Sequence, residues 1–351
     1  MKRTTIKDVA KLAGVSTSTV SLVLNEKPVP ISAATRAAVL EAANTLNYRP
    51  NQLAVGLVTS KSNSIGLIIP DNSNPFFASL SNYIEKEANQ NGFSVILGNT
   101  NNDPKSTRNY LQIFADHQVD GIILAQADFT TPEESEECMK LIQELRTPVV
   151  LVDRVYKDLN IDCVLVDQVA AGYLATHHLL ELGHRKIGCA SGPLGLGNCS
   201  NRLAGYKKAL EEFGIDFDPA LVYEDNLNIE CGIHALPSLL GHNVTAIFAF
   251  NDLIAYGIYK ESRNYSLSIP EDLSVVGLDD IFLSEIIQPP LTTVAQPIAL
   301  TADIVVKKLL DLMLPSSSHV HTPKILQPTL KVRGSTRRIL ADSPTRKGTS
   351  L

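Results

Sequence analysis

The stretch TTIKDVAKLAGVSTSTVSLVLN, Thr4 to Asn25, decides how the start of the chain is read. Thr5-x-x-Asp8 fits a capping box: the threonine hydroxyl takes a free amide of the first turn and Asp8 reaches back, opening a helix to about Ala13. Gly14 permits a tight turn, and Ser16 then caps a second helix through about Leu24. Ile6, Val9, Ala10, Ala13, Val20, Val23 and Leu24 supply the faces on which these helices pack. The second helix carries hydroxyls at Ser16, Thr17, Ser18, Thr19 and Ser21, where a surface helix usually carries Lys, Glu or Arg. Pro28 and Pro30 force a loop, Ser32 caps a third helix to about Leu46, and NYRPN ends it. Two helices joined by a short Gly-containing turn and followed by a third form the layout of a helix-turn-helix DNA-binding unit. A small helical bundle with no ligand has the same outline.

Charge favours the DNA-binding reading over the bare bundle, although a small segment can also gather charge by chance. Residues 1–61 hold eight basic side chains (Lys2, Arg3, Lys7, Lys11, Lys27, Arg36, Arg49, Lys61) and three acidic ones (Asp8, Glu26, Glu41), hence +5. With a whole-chain charge of −6, the remainder carries −11. A basic head on an acidic body meets a polyanion with the head alone. A helix N-terminus offers free amides and a partial positive charge, so Ser16, Thr17 and Thr19 there can bind phosphate oxygens without a formal charge.

From Ser64 the pattern becomes short strands alternating with helices: SIGLIIPD, a helix over about 76–91, FSVILGN, a helix over 104–117, GIILAQ, a helix over 132–145, and PVVLVDR. A second set follows: DCVLVD, a helix over 170–182, KIGCASG, a helix over 202–213, LVYED, a helix over 230–240, AIFAF, a helix from Asp252, and LSVVGLD. Such alternation builds parallel sheets covered by helices on both faces, and two sets imply two Rossmann-like lobes facing a shared cleft. Polar residues at strand ends are the ligand candidates. Asp153 closes VVLVD, Asn251 follows AIFAF, and Asp279 closes SVVGLD; Arg202 opens a helix with a five-donor fork, while Phe76 and Phe77 can stack on a sugar face. Each also has a plainer reading as helix cap, interlobe ion pair or core aromatic.

Other classes lack support. The apolar runs are far shorter than the roughly 20 residues a membrane span needs. No continuous apolar region follows Lys2 and Arg3 as a signal peptide would require, so the protein is expected in the cytoplasm. Five scattered cysteines (138, 163, 189, 199 and 231), never spaced C-x-x-C, read as buried reduced thiols, with neither a metal site nor a disulfide framework. GPLGLG is not a dinucleotide fingerprint, no G-x-S-x-G occurs, and the adjacent His177 and His178 cannot share a helix face, so neither catalytic residues nor a cofactor are expected.

TTIKDVAKLAGVSTSTVSLVLN with YRPNQLAVGL resembles the head of the lactose repressor (LacI/GalR) family of bacterial transcription regulators. The likeness continues through IGLIIPDNSNPFF, DGIILA, PVVLVDR, LGHRKIGCASGP, NRLAGYKKAL, FAFNDLIAYG, IPEDLSVVGLDD, PPLTTVAQP and VRGSTR, leaving out only the last dozen or so residues. It implies an N-terminal all-α helix-turn-helix domain and an α/β core of two Rossmann-like lobes, like that of periplasmic binding proteins. Carried over by position, Thr5, Ser16, Thr19, Ser21 and Asn25 sit where the family grips phosphates, and Thr17, Ser18 and Leu22 where its recognition helix faces base edges. Leu22 replaces an Arg common there; Arg can discriminate guanine by roughly 1–3 kcal/mol, whereas Leu offers only apolar contact, for example to a thymine methyl.

Asn51 to about Val58 resembles the family's hinge helix, with Ala54 and Leu57 matching the residues that enter the minor groove as an apolar wedge. Phe76, Phe77, Asp153, Arg202, Asn251 and Asp279 occupy effector positions. Purine-binding relatives carry a further Arg six residues before the one matching Arg202; Leu196 stands there, which favours a sugar, sugar phosphate or other sugar derivative.

The implied protein is a bacterial repressor of carbohydrate-utilisation genes, a homodimer on operator DNA and nucleoid-associated when bound, with no membrane partner. A cytosolic sugar-binding protein or enzyme on the same scaffold is the alternative. The expected divisions are a helix-turn-helix domain over 1–50, a hinge helix and linker over 51–61, a first lobe of 62–161 with 293–325, a second of 162–292 with 326–335, and a disordered tail over 336–351. That tail has Pro344 and no apolar heptads, so no tetramer-forming coiled coil is expected.

Overall fold

The computed structural model describes residues 4–25, 29–48, 62–127, 132–154, 161–314 and 321–339. The chain divides into two compact units, Met1–Ser62 and Asn63–Leu351.

The first unit holds α1 (Ile6–Ala13), α2 (Thr17–Leu24) and α3 (Ala33–Thr45). Asp8 starts α1 by accepting the Thr5 N–H at 2.9 Å and the Thr5 hydroxyl at 2.7 Å. Gly14 stops it in the left-handed conformation, φ 70°, which a residue without Cβ adopts at little cost, and returns its N–H to the Ala10 carbonyl. Ser16 and Ser32 cap α2 and α3 by accepting the amides of Thr19 and Thr35. Val9 and Ala10, Val20 and Val23, and Val39, Ala42 and Ala43 bring one apolar face from each helix into a small core.

The second unit contains two six-stranded sheets. In the first the order is β11 (Pro323–Leu326), β5 (Cys163–Val166), β4 (Val149–Val152), β3 (Gly121–Leu124), β1 (Ser64–Ile69), β2 (Ser94–Asn99), with every neighbouring pair parallel. In the second it is β12 (Thr329–Lys331), β10 (Thr292–Ala295), β9 (Ser274–Asp279), β8 (Ala246–Ala249), β6 (Ile187–Ser191), β7 (Val222–Glu224); only β10 and β12 run antiparallel. The unbroken apolar runs of β3, β4 and β8 are buried along their whole length, as strands covered on both faces must be.

In the first lobe, α4 (Pro75–Gln90) and α11 (Ile298–Leu312) cover one face of the sheet, and α5 (Pro104–Asp116) and α6 (Pro132–Glu144) the other. The second lobe packs α7 (Gln168–Glu181), α8 (Gly197–Glu212), α9 (Ile229–Leu240) and α10 (Asp252–Ser262) around a single core. Among the described residues all five cysteines are buried and free, and no helix is long and apolar enough to cross a membrane.

The lobe boundaries differ from those expected. DCVLVD, placed at the start of the second lobe, forms β5 of the first sheet, bonded to β4 through Leu151–Cys163 and Val152–Val164. Residues 293–295, placed in the first lobe, belong to β10 of the second sheet. The chain changes lobes between Val166 and Gln168, between Ala295 and Ile298, and between Leu326 and Thr329. A strand buried on both faces carries no mark of its pairing partner, so its own residues do not say which sheet it joins. Helix α8 also starts earlier than expected, at Gly197, which places Arg202 in the second turn and not at the opening.

Candidate functional site

The head exposes the N-terminal end of α2. Val20 and Val23 turn into the core, while Ser16, Thr17 and Ser18 are exposed. The Ser16 hydroxyl is the hub of this end: it accepts the Thr19 amide at 3.1 Å and lies 2.7 Å from the Ser18 hydroxyl and 2.9 Å from that of Thr19. A helix's first amides have no partner within the helix, so this exposed end offers N–H and O–H donors together to an anion. One turn on, the Asn25 side-chain amide donates to the Ser21 carbonyl at 2.8 Å and lies 3.2 Å from its hydroxyl. Leu22 is half-buried but, among the described residues, does not join the apolar cluster that holds Val20, Val23 and Leu24. Asn51, Ala54 and Leu57 lie outside the described residues.

In the core, Phe76, Phe77, Asp153, Arg202, Asn251 and Asp279 line one cavity between the lobes. The two carboxylates face it from opposite sheets. Asp153 follows β4 with φ 67°, and Asp279 ends β9 with φ 118°. Both conformations are unfavourable for a residue with a Cβ, so the fold holds each carboxylate in place against local preference. Phe76 and Phe77 meet edge to face, ring centres 5.1 Å apart, and the Arg154 guanidinium sits 5.6 Å from the Phe77 ring centre.

The plainer readings of these side chains hold in part. Asn251 caps α10, its side-chain oxygen accepting the Ile254 amide at 2.8 Å and its nitrogen donating to the Leu227 carbonyl at 3.1 Å. Arg202 donates through Nε to Gln168 Oε1 at 2.8 Å and through Nη1 to the Phe250 carbonyl. Asp279 accepts from Gln296 Nε2 at 2.7 Å through Oδ1. Arg202 Nη2 and Asp279 Oδ2 have no hydrogen-bond partner among the described residues and are the atoms left for a ligand.

Burial pushes the Asp279 carboxyl up to about 8, helped by the negative charges of Asp252 and Asp153 and opposed by Arg202 and the Gln296 hydrogen bond. Near neutral pH it can therefore hold a proton on Oδ2 and donate, or lose it and accept. Behind it, Asp252 is fully buried and raised to about 6 by desolvation, although the hydroxyls of Ser284 and Thr293 and the Ile281 amide all donate to it.

Sequence reasoning missed Asn74, Asn198, Leu227 and Gln296 in the cavity wall, and Gln168 beside it. Asn74 caps α4 ahead of Pro75, and Gln296 is the first polar residue after β10; both signals stood in NSNPFF and VAQP. Among the described residues no cluster of His, Cys, Asp and Glu could hold a metal ion.

A three-helix head with a hydroxyl-rich exposed helix, followed by two lobes around a polar cleft, defines a ligand-responsive DNA-binding protein. Residues 5–51 match the model described as bacterial regulatory proteins, lacI family, and residues 62–328 that of periplasmic binding proteins and the sugar-binding domain of the LacI family. The chain belongs to the LacI family, and it is a DNA-binding transcription regulator and not an enzyme.

It is 39% identical to the transcriptional regulator DegA of Bacillus subtilis over 300 residues, covering 84% of this chain and 87% of that one. It is 36% identical to the ribose operon repressor of Haemophilus influenzae, with 94% and 98% covered. The lac repressor dimer bound to operator and the anti-inducer ONPF superposes with a TM-score of 0.85 at 28% identity, over 96% of this chain and 100% of that one. A LacI-family regulator from Enterococcus faecium with bound ribose gives 0.70 at 32% identity, over 79% and 100%.

Proposed function

We propose that the protein is a repressor of carbohydrate-utilisation genes whose operator affinity is set by a sugar held between the lobes. The observation that carries this reading is the convergence of six side chains from five places in the fold on one cavity, with donors, acceptors and an aromatic wall. Paired carboxylates, a guanidinium and amides suit vicinal hydroxyls, and Phe76 and Phe77 suit the apolar face of a sugar ring. The ribose operon repressor among the relatives and the ribose-bound neighbour support this class. In the head, Thr5, Ser16, Thr19, Ser21 and Asn25 take phosphates and Thr17, Ser18 and Leu22 face bases; Asn51, Ala54 and Leu57 serve the minor groove at the operator's centre.

One recognition helix reads half a site, so the active form is a homodimer on a pseudo-palindrome. The exposed apolar residues Phe282 and Leu300, which share a groove, and Ile286 supply surface for that association. The protein acts in the bacterial cytoplasm, on the nucleoid when bound to its operator.

Thermal shift across a panel of pentoses, hexoses, disaccharides and sugar phosphates tests the reading, since ligand at about 100 times its Kd adds about 2.7 kcal/mol to stability. Asp279→Ala is expected to lose the response to whichever sugar stabilises the wild type while operator binding persists. Lost operator binding with an intact sugar response would overturn the assignment of the two sites.

A further inference from the structure

Two glutamines sit where the chain passes from one lobe to the other, Gln168 at the first crossing and Gln296 at the second, and both are buried, 4% and 6% exposed. The Gln168 side-chain nitrogen donates to Gln296 Oε1 at 3.2 Å, between residues 128 apart in the chain. Gln168 Oε1 accepts from Arg202, and Gln296 Nε2 donates to Asp279. The result is a continuous path from Arg202 through Gln168 and Gln296 to Asp279, entering the cleft at both ends and pinned to two crossings in its middle. The third crossing is tied in as well: Gln327 Nε2 lies 3.5 Å from Asp167 Oδ2, and the Asp167 amide donates to the Leu326 carbonyl at 2.9 Å.

The path has one direction. Arg202 Nε–H can only donate, so Gln168 must turn its carbonyl oxygen to it and its NH2 to Gln296. Gln296 must then accept with its oxygen and donate with its nitrogen to Asp279. Neither amide can flip alone without setting donor against donor or acceptor against acceptor in a buried site. A ligand that bonds Arg202 Nη2 or Asp279 Oδ2 therefore pulls on an end of this path, and the middle links are the crossings themselves.

We propose that Gln168 and Gln296 are positioning residues that pass the state of the cleft to the interlobe crossings. The proposal rests on the cleft being the regulatory site. Its test uses no effector, so the two readings fail separately.

Hydrogen–deuterium exchange of the ligand-free full chain is followed in peptides covering 166–170 and 295–299. Cutting the path at its Asp279 end with Asp279→Ala is expected to speed exchange at the far crossing, 166–170. Cutting it at the other end with Arg202→Met is expected to do the same at 295–299. Each change should be roughly two- to tenfold, the effect on a local opening constant of one hydrogen bond of ordinary net worth. In a Gln168→Met background the far-end effects should vanish, because the path is already broken; Gln296→Met cuts the same path and replaces it if Gln168→Met does not fold. Unchanged exchange at the far crossing, or an equal rise with and without Gln168, would overturn the proposal, since a glutamine that only fills space gives additive effects.

Discussion

Leu22 sits half-buried on the exposed helix of the head, outside the apolar cluster that its neighbours Val20 and Val23 complete. Leu22→Arg is expected to move operator preference toward guanine at one position of each half-site, by roughly 1–3 kcal/mol, as selection from a randomised operator pool would show. Head stability should be nearly unchanged, because no core contact is lost. Asp279 allows a prediction about pH. Its folded pKa, about 8, lies above the ordinary 3.8, so between these values the unfolded chain has released a proton that the folded chain keeps. Its contribution is complete below about 3.8 and is lost as pH rises to about 8. Asp279→Asn, whose oxygen can still accept from Gln296, should flatten the fall in Tm between pH 4 and 8.5. The narrower window of Asp252, between 3.8 and about 6, persists in the variant, opposed by buried His184, lowered to about 4, whose contribution grows as pH rises toward 6.5.

At the scale of elements, the pairing of α7 with α8 holds Arg202 against Gln168. A Cβ on Gly172 would strike the Arg202 carbonyl, and one on Gly205 the Val169 carbonyl, so the helices meet backbone to backbone with glycine on both sides. Gly205→Ala should cost about 1–3 kcal/mol in urea unfolding and weaken the sugar response, because the helices must part by the width of a methyl group. The caps Ser16 and Ser32 and the turn at Gly14 were legible in the sequence, since local rules govern them. So were Asp153, Asn251 and Asp279, polar residues closing apolar strands. The sheet that takes β5 was not legible, because parallel pairing is decided between segments far apart. Gln168 and Gln296 escaped for the same reason: their meaning lies in a bond spanning 128 residues, and each alone reads as an ordinary polar residue before a helix.

For the whole molecule, a dimer placing two recognition helices on one face of DNA requires half-sites a fixed number of helical turns apart. Inserting about 5 bp, half a turn, between the half-sites should abolish high-affinity binding measured by gel shift, and inserting about 10 bp should restore part of it. Phe282→Asp is expected to shift the sedimentation of the free protein toward monomer, since it puts a charge on a side chain 65% exposed within an apolar groove.

The three crossings also determine what can be cut out of the gene. Neither lobe is a continuous stretch of sequence, because the first sheet needs residues 323–326 from near the end of the chain and the second is interrupted by α11. A fragment ending after β5 lacks the strand and the helix that complete the first lobe, and one beginning at α7 carries both into the second without their partners. Each half therefore has to wait for nearly the whole chain to be synthesised before its core can close, and a premature stop anywhere upstream of β11 leaves neither lobe finished.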